Sequence, residues 1–178
     1  MSGAGTGRTT TVAVLLAAAA GVAVGALGTR ALLPRPARPP RAEATRAETV
    51  HARGHAVMPF ELARTLHVFE ITTSGGIQDV VARDPDDAAT VGLVRRHLRH
   101  EAERFRGGDF SDPGSLHGAD MPGLRRLAGA PGRIGVAYED LPAGGRITFS
   151  SRDPELVTAL HRWFAAQLSD HGSDATYR

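Results

Sequence analysis

The sequence predicts an α+β domain made of a duplicated strand–strand–helix unit: a four-stranded antiparallel sheet with two helices packed on one face. Three observations lead there. β-branched and aromatic residues gather in two pairs of short runs, each pair is followed by an Asp-Pro opening to a helical stretch, and the pattern recurs at a fixed offset. Gly75-Gly76, six residues, then Arg83-Asp84-Pro85 is matched by Gly144-Gly145, six residues, then Arg152-Asp153-Pro154, an offset of 69 throughout. Self-similarity of this kind marks a supersecondary unit that buries its apolar face only against its copy.

In order along the chain, 66–72 (LHVFEIT) and 77–82 (IQDVVA) read as strands. Residues 73–76 (TSGG) form the hairpin turn, with Gly supplying positive φ. Asp84 is an expected N-cap, Pro85 suits the first helical position, and Asp86 and Asp87 favour the positive helix end. A helix then runs to about Arg106 on a buried stripe of Val91, Val94, Leu98, Ala102 and Phe105, and Gly107-Gly108 stops it. A turn-rich central loop, 107–124, separates the halves at about 65–108 and 133–172. The second half repeats the order: strands at 133–139 and 146–150, then a helix from Asp153-Pro154 with Leu156, Leu160, Trp163, Phe164 and Leu168 inward. Gly172 closes that helix. The domain is expected to span 57–173, with 174–178 as a tail.

The chain begins with a different composition. Arg8 precedes an unbroken apolar run over 12–27, which predicts a signal peptide or an uncleaved membrane anchor at 1–28. Residues 29–56 are rich in Pro, Arg and Ala and read as a semi-rigid linker. The expected location is extracytoplasmic: secreted, periplasmic, or anchored by the N-terminal segment. Initiation at Met58 instead would make the protein cytoplasmic. Residues 1–56 carry seven Arg against two Glu, a net +5, whereas 57–178 carry fourteen Arg against seventeen acids, a net −3. The domain is thus mildly acidic, which excludes a nucleic-acid footprint and leaves membrane contact to the N-terminal segment. The absence of Cys excludes disulfides, thiolate zinc sites and cysteine nucleophiles.

Eight His without Cys raise the question of a metal. His117 and Met121 stand four apart in the central loop, with Asp120 between them and Gly118, Pro122 and Gly123 shaping the backbone. Imidazole and thioether together suit copper, above all Cu(I). The plainer account has His117 capping a turn and Met121 filling the core. His67 alternates with Phe69 and Ile71 on one strand face, and His171 keeps register with Leu160, Phe164 and Leu168. The candidate metal ligands are therefore His117, Met121, His67 and His171, should they converge. His97 and His100 are three apart, yet His97 flanks the apolar stripe and His100 points away from it, which predicts a solvated, ion-paired face. Asp109, Asp112 and Asp120 lack the glycine and terminal glutamate of an EF-hand loop. No phosphate-binding loop, nucleophile elbow or cysteine nucleophile is present.

Several blocks resemble a small family of exported bacterial domains. They are Arg53-Gly54, Val57-Met58-Pro59-Phe60, Gly75-Gly76 with Asp84-Pro85, His97-Leu98, 107–110, His117-Gly118 with Met121-Pro122-Gly123, and 163–172 (WFAAQLSDHG). Members of that family, mostly hypothetical proteins, often carry the label aspartate carbamoyltransferase, and their usual signal peptide implies export here too. The label implies carbamoyl transfer. The Ser-Thr-Arg-Thr-type carbamoyl-phosphate loop is absent, and the chain is too short for the two α/β domains that reaction uses. The family supplies no catalytic residues to transfer. Three functional expectations stand: a non-enzymatic structural or protein-interaction module with an unknown protein partner, an extracytoplasmic module that binds copper, or an enzyme of the carbamoyl-transfer type that the family label implies.

Overall fold

The computed structural model describes residues 45–178. The leader at 1–28 and the first part of the linker lie outside the described residues. The α+β class holds, and the sheet has five strands instead of four. β1 (Thr65–Thr72), β2 (Gly75–Ala82), β3 (Gly135–Leu141) and β4 (Gly144–Ser150) form two antiparallel hairpins, and β5 (Ala175–Tyr177) pairs parallel to β1. The order is β3-β4-β2-β1-β5, so the sheet is mixed. The expected tail is this fifth strand. Its length of three residues and polar sequence carry no strand pattern, and only the neighbouring β1 gives its backbone a partner.

The two hairpins meet along β2 and β4, and their register has the same offset as the sequence. Gly75 faces Ser150 and Val81 faces Gly144, each pair mapping onto the other by 69 residues, while Gln78 faces Ile147, its own counterpart. Helices α2 (Ala88–Arg106) and α5 (Pro154–His171) cover one face of the sheet. The Gly-Gly pairs lie inside β2 and β4, beyond two-residue turns at Thr73-Ser74 and Pro142-Ala143, where close packing selects them, and Gly75 also holds a positive φ of 157° after the first turn. A Cβ on Gly76 would stand 2.4 Å from the Phe164 ring, and one on Gly144 2.0 Å from the Val80 carbonyl oxygen.

The expected N-cap of the first helix is displaced. Asp87 caps α2 by accepting from the Thr90 N–H, while Asp84 accepts from the Asp86 N–H in the preceding turn. In the second half Asp153 caps α5 as expected, with Pro154 in the first turn. Three further helices were not expected. α1 (Arg46–Val57) occupies part of the anticipated linker and opens with a Thr45–Glu48 capping box. That signature is in the sequence, and the Pro-rich residues before it obscure it. Short helices α3 (Ser111–His117) and α4 (Leu124–Ala128) occupy the central loop and the stretch after it.

Between sheet and helices lies an aromatic core. Trp163 is fully buried and meets Phe105, Phe110 and Phe149 edge-on, with ring centroids 5.7, 5.5 and 5.5 Å away. Phe69 and Phe164 close the β1 side at 5.1 Å. Edge-to-face contacts of this kind add to the burial of large apolar surface. Among the described residues no helix is long and apolar enough to cross a membrane.

Candidate functional site

The strand period of two turns His67 inward beside Phe69, and the helix period of α5 brings His171 to the same layer. Their rings stack with centroids 4.5 Å apart and planes 16° from parallel. His117, the last residue of α3, meets His171 edge-on at 5.0 Å and 72°. Three of the four expected ligands therefore converge. Met121 does not join them. Gly118, at φ +101°, ends α3 and turns the chain away. Met121 is buried in the core and borders a separate groove with Pro122, Gly123, Arg125 and Arg126.

The three imidazoles line a cavity of about 50 Å³ together with His97, Glu101 and Gln167. Trp163 and Gln78 complete its polar edge, and Val57, Met58 and Phe60 form an apolar wall. A volume of this size holds a few waters or a single ion. Four buried atoms around the layer make no hydrogen bond: His67 Nδ1, His171 Nδ1, Trp163 Nε1 and Gln167 Nε2. Native interiors rarely leave such groups unpaired, because each costs about 1–3 kcal/mol.

His117 is the oriented member of the trio. Its Nδ1 lies 3.0 Å from Asp170 Oδ2, which places the proton on that nitrogen and leaves the lone pair on Nε2. Asp170 is in turn held by Arg46, with Nε 2.7 Å from Oδ1 and Nη2 3.1 Å from Oδ2. Burial pushes the Asp170 carboxyl up, but the hydrogen bonds from Arg46 and His117 outweigh it and hold the group below its usual range. Burial lowers His117, opposed by Asp170. It carries His67 well below its usual value and, with His117 alongside, takes His171 to about 3. All three rings are neutral at pH 7.

At the other side of the cavity, burial brings His97 to about 4 and raises Glu101 to about 8, the latter with help from a hydrogen bond to Asp112. Arg104 gathers the acids of the former loop. Its guanidinium meets Asp109 at 2.9 Å, bonds Asp112, and lies 3.5 Å from Glu101. Asp120 is exposed near Arg125, so the three loop aspartates form no common site. His100 is exposed, as its helical position predicts, whereas His97 is half-buried and lines the cavity instead of lying on a solvated, ion-paired face.

No family model, curated protein or solved structure matches the chain. The chemistry of the site must therefore be read from its own side chains. Among the described residues no three His, Asp or Glu side chains stand ready to hold one metal ion together. The stacking explains this for the histidines: the lone pairs of nearly parallel rings run side by side instead of converging. Asp170, Arg46, Glu101 and Gln167 were not anticipated. Glu101 falls three residues after Leu98 and four before Phe105, and Gln167 four after Trp163, so both lie on apolar stripes that mark them as buried polar groups. Nothing in the sequence links Arg46 to Asp170.

Proposed function

We propose that this domain is a non-catalytic binding module whose ligand is a transition-metal ion taken up by the imidazoles of His67, His117 and His171. The observation that carries the reading is the pair of unpartnered Nδ1 atoms on His67 and His171, walled into a cavity of ionic size. Burial keeps the rings neutral, so a lone pair is offered to a metal without removal of a proton. A carboxylate behind His117 is the arrangement that orients ligating imidazoles. Uptake requires His67 or His171 to turn out of the stack until their lone pairs converge. Without Met121 the set is all nitrogen, and Cu(II) binds such sets most tightly of the divalent first-row ions. An exported location rests on the apolar run at 12–27. The two halves are read as copies of one unit, supported by the shared offset of 69 in sequence and register.

The test is thermal melting of the purified chain with Cu(II), Cu(I), Zn(II) and Ni(II). A native-state ligand stabilises by about 2.7 kcal/mol at a hundredfold excess over Kd, so Cu(II) raises Tm. His171→Ala abolishes the shift and His100→Ala leaves it. Absence of any shift overturns the reading.

A second reading, a protein-interaction module, is favoured by the helix-free sheet face. There Leu66 lies opposite Val81, Val68 opposite Asp79 and Ile77 opposite Glu70; the four apolar side chains are half-buried without a covering element among the described residues, around an Asp79 carboxylate paired with Arg146 and Arg178. On that reading a second copy pairs through the face, sedimentation shows concentration-dependent association, and Val68→Glu removes it.

A further inference from the structure

Polar bonds attach α1 to the domain beside a small apolar contact. Of its 12 residues only Val50 and Gly54 are buried. The helix lies on α3 and α5, and its polar bonds run to the residues that frame the histidine cavity. Arg46 grips both oxygens of Asp170 and donates from Nη2 to the His117 carbonyl at 2.9 Å. His51 Nε2 lies 2.7 Å from Asp174 Oδ2, and Arg53 donates to the Leu116 carbonyl at 3.4 Å. At and beyond the end of α1, Val57, Met58 and Phe60 form the apolar wall of the cavity.

We propose that α1 is the movable cover of the histidine cavity, latched shut by Arg46 on Asp170, and that its release opens the path by which a ligand enters. The rings inside are buried, with His67 4% and His171 2% exposed, so entry requires part of the wall to move. α1 reaches that wall through Val57 and buries only Val50 and Gly54 of its own residues, which places it at the low-stability end of the molecule. Asp170 joins cover to site, since its Oδ2 accepts from both Arg46 Nη2 and His117 Nδ1. A ligand that turns the His117 ring weakens or strengthens the hold on α1, and by reciprocity the state of α1 alters affinity for the ligand. The inference needs the cavity alone and stands whichever ligand enters.

Trp163, the single Trp of the chain, borders the cavity and is fully buried, so it reports on access directly. The experiment combines amide hydrogen exchange with acrylamide quenching of Trp163 fluorescence in the full chain. In the wild type, α1 amides are expected to exchange well ahead of those in β1 and β2. Arg46→Ala then speeds α1 exchange on the order of tenfold and raises Trp163 quenching, while β1 and β2 exchange as before. The Arg46 side chain is 60% exposed, and the sheet amides report whether the variant stays folded. His55→Ala, on the exposed side of α1 and paired only with Glu61, leaves the latch and serves as the control. The proposal is overturned if α1 exchanges in step with the sheet in the wild type, if Arg46→Ala changes neither signal, or if α1 loosens while Trp163 stays shielded.

Discussion

At the scale of single residues, the interior is decided by what a side chain must avoid as much as by what it gains. Gly76 shows this: a methyl group there would press into the Phe164 ring at 2.4 Å and the Glu70 carbonyl oxygen at 2.8 Å. Gly76→Ala is therefore expected to destabilise the domain by about 1–3 kcal/mol, read as a lower midpoint in denaturant with an unchanged slope. Gly118 has nothing within 4 Å of its Cβ position, so its requirement is the positive φ alone. The histidine trio obeys the same logic in reverse, keeping neutral, partly unpaired rings that tight apolar packing would exclude.

At the scale of elements, the two halves share a plan and differ in its execution. Asp153 caps α5 by accepting from the Glu155 N–H, and also holds Arg133 at 2.7 Å. The counterpart aspartate in the first half, Asp84, serves a turn, and capping passes to Asp87. Asp87→Ala is thus expected to cost about 1 kcal/mol, the usual price of a lost cap, and Asp84→Ala clearly less. Equilibrium denaturation of the two variants checks this, and equal costs would contradict the assignment. Thr45→Ala removes the capping box of α1. It is expected to hasten exchange in α1 by several-fold while leaving global stability within about 0.5 kcal/mol.

At the scale of the whole molecule, buried titratable groups set how stability follows pH. The folded values of His67, His97, His117 and His171 lie below the ordinary 6.5, with His97 at about 4 and His171 at about 3. The unfolded chain therefore binds more protons below pH 6.5, and the stability these rings contribute is present above that pH and lost as it falls. The slope is about 1.4 kcal/mol per pH unit for each proton of difference. Glu101 acts in the opposite sense. Raised from 4.5 to about 8, it contributes stability that is full below pH 4.5 and lost as pH rises through 8. Between 4.5 and 6.5 four imidazoles outweigh one carboxyl, and between 6.5 and 8 the carboxyl acts alone among these groups. Tm measured against pH is expected to peak near 6.5, and Glu101→Gln to flatten the alkaline side and to steepen the acid side between pH 4.5 and 6.5.

The sequence by itself determined the elements whose signals are local. Alternating apolar residues mark the four long strands, periodic stripes mark α2 and α5, Asp153-Pro154 opens α5, and the 69-residue offset reappears as the register of β2 on β4. It also put His67 on the strand face of Phe69 and His171 on the helix face of Leu160 and Phe164, because the strand and helix periods assign faces; burial of those faces turns both inward. Only the tertiary structure decided the rest. β5 is a strand through its pairing with β1, and the place of α1 on the domain depends on a contact between Arg46 and Asp170, 124 residues apart. Whether Met121 or Asp170 stands behind His117 turns on the path of the chain after Gly118. Local pattern fixes which way a side chain faces, but which groups meet depends on packing between distant segments, and a site is made of such meetings.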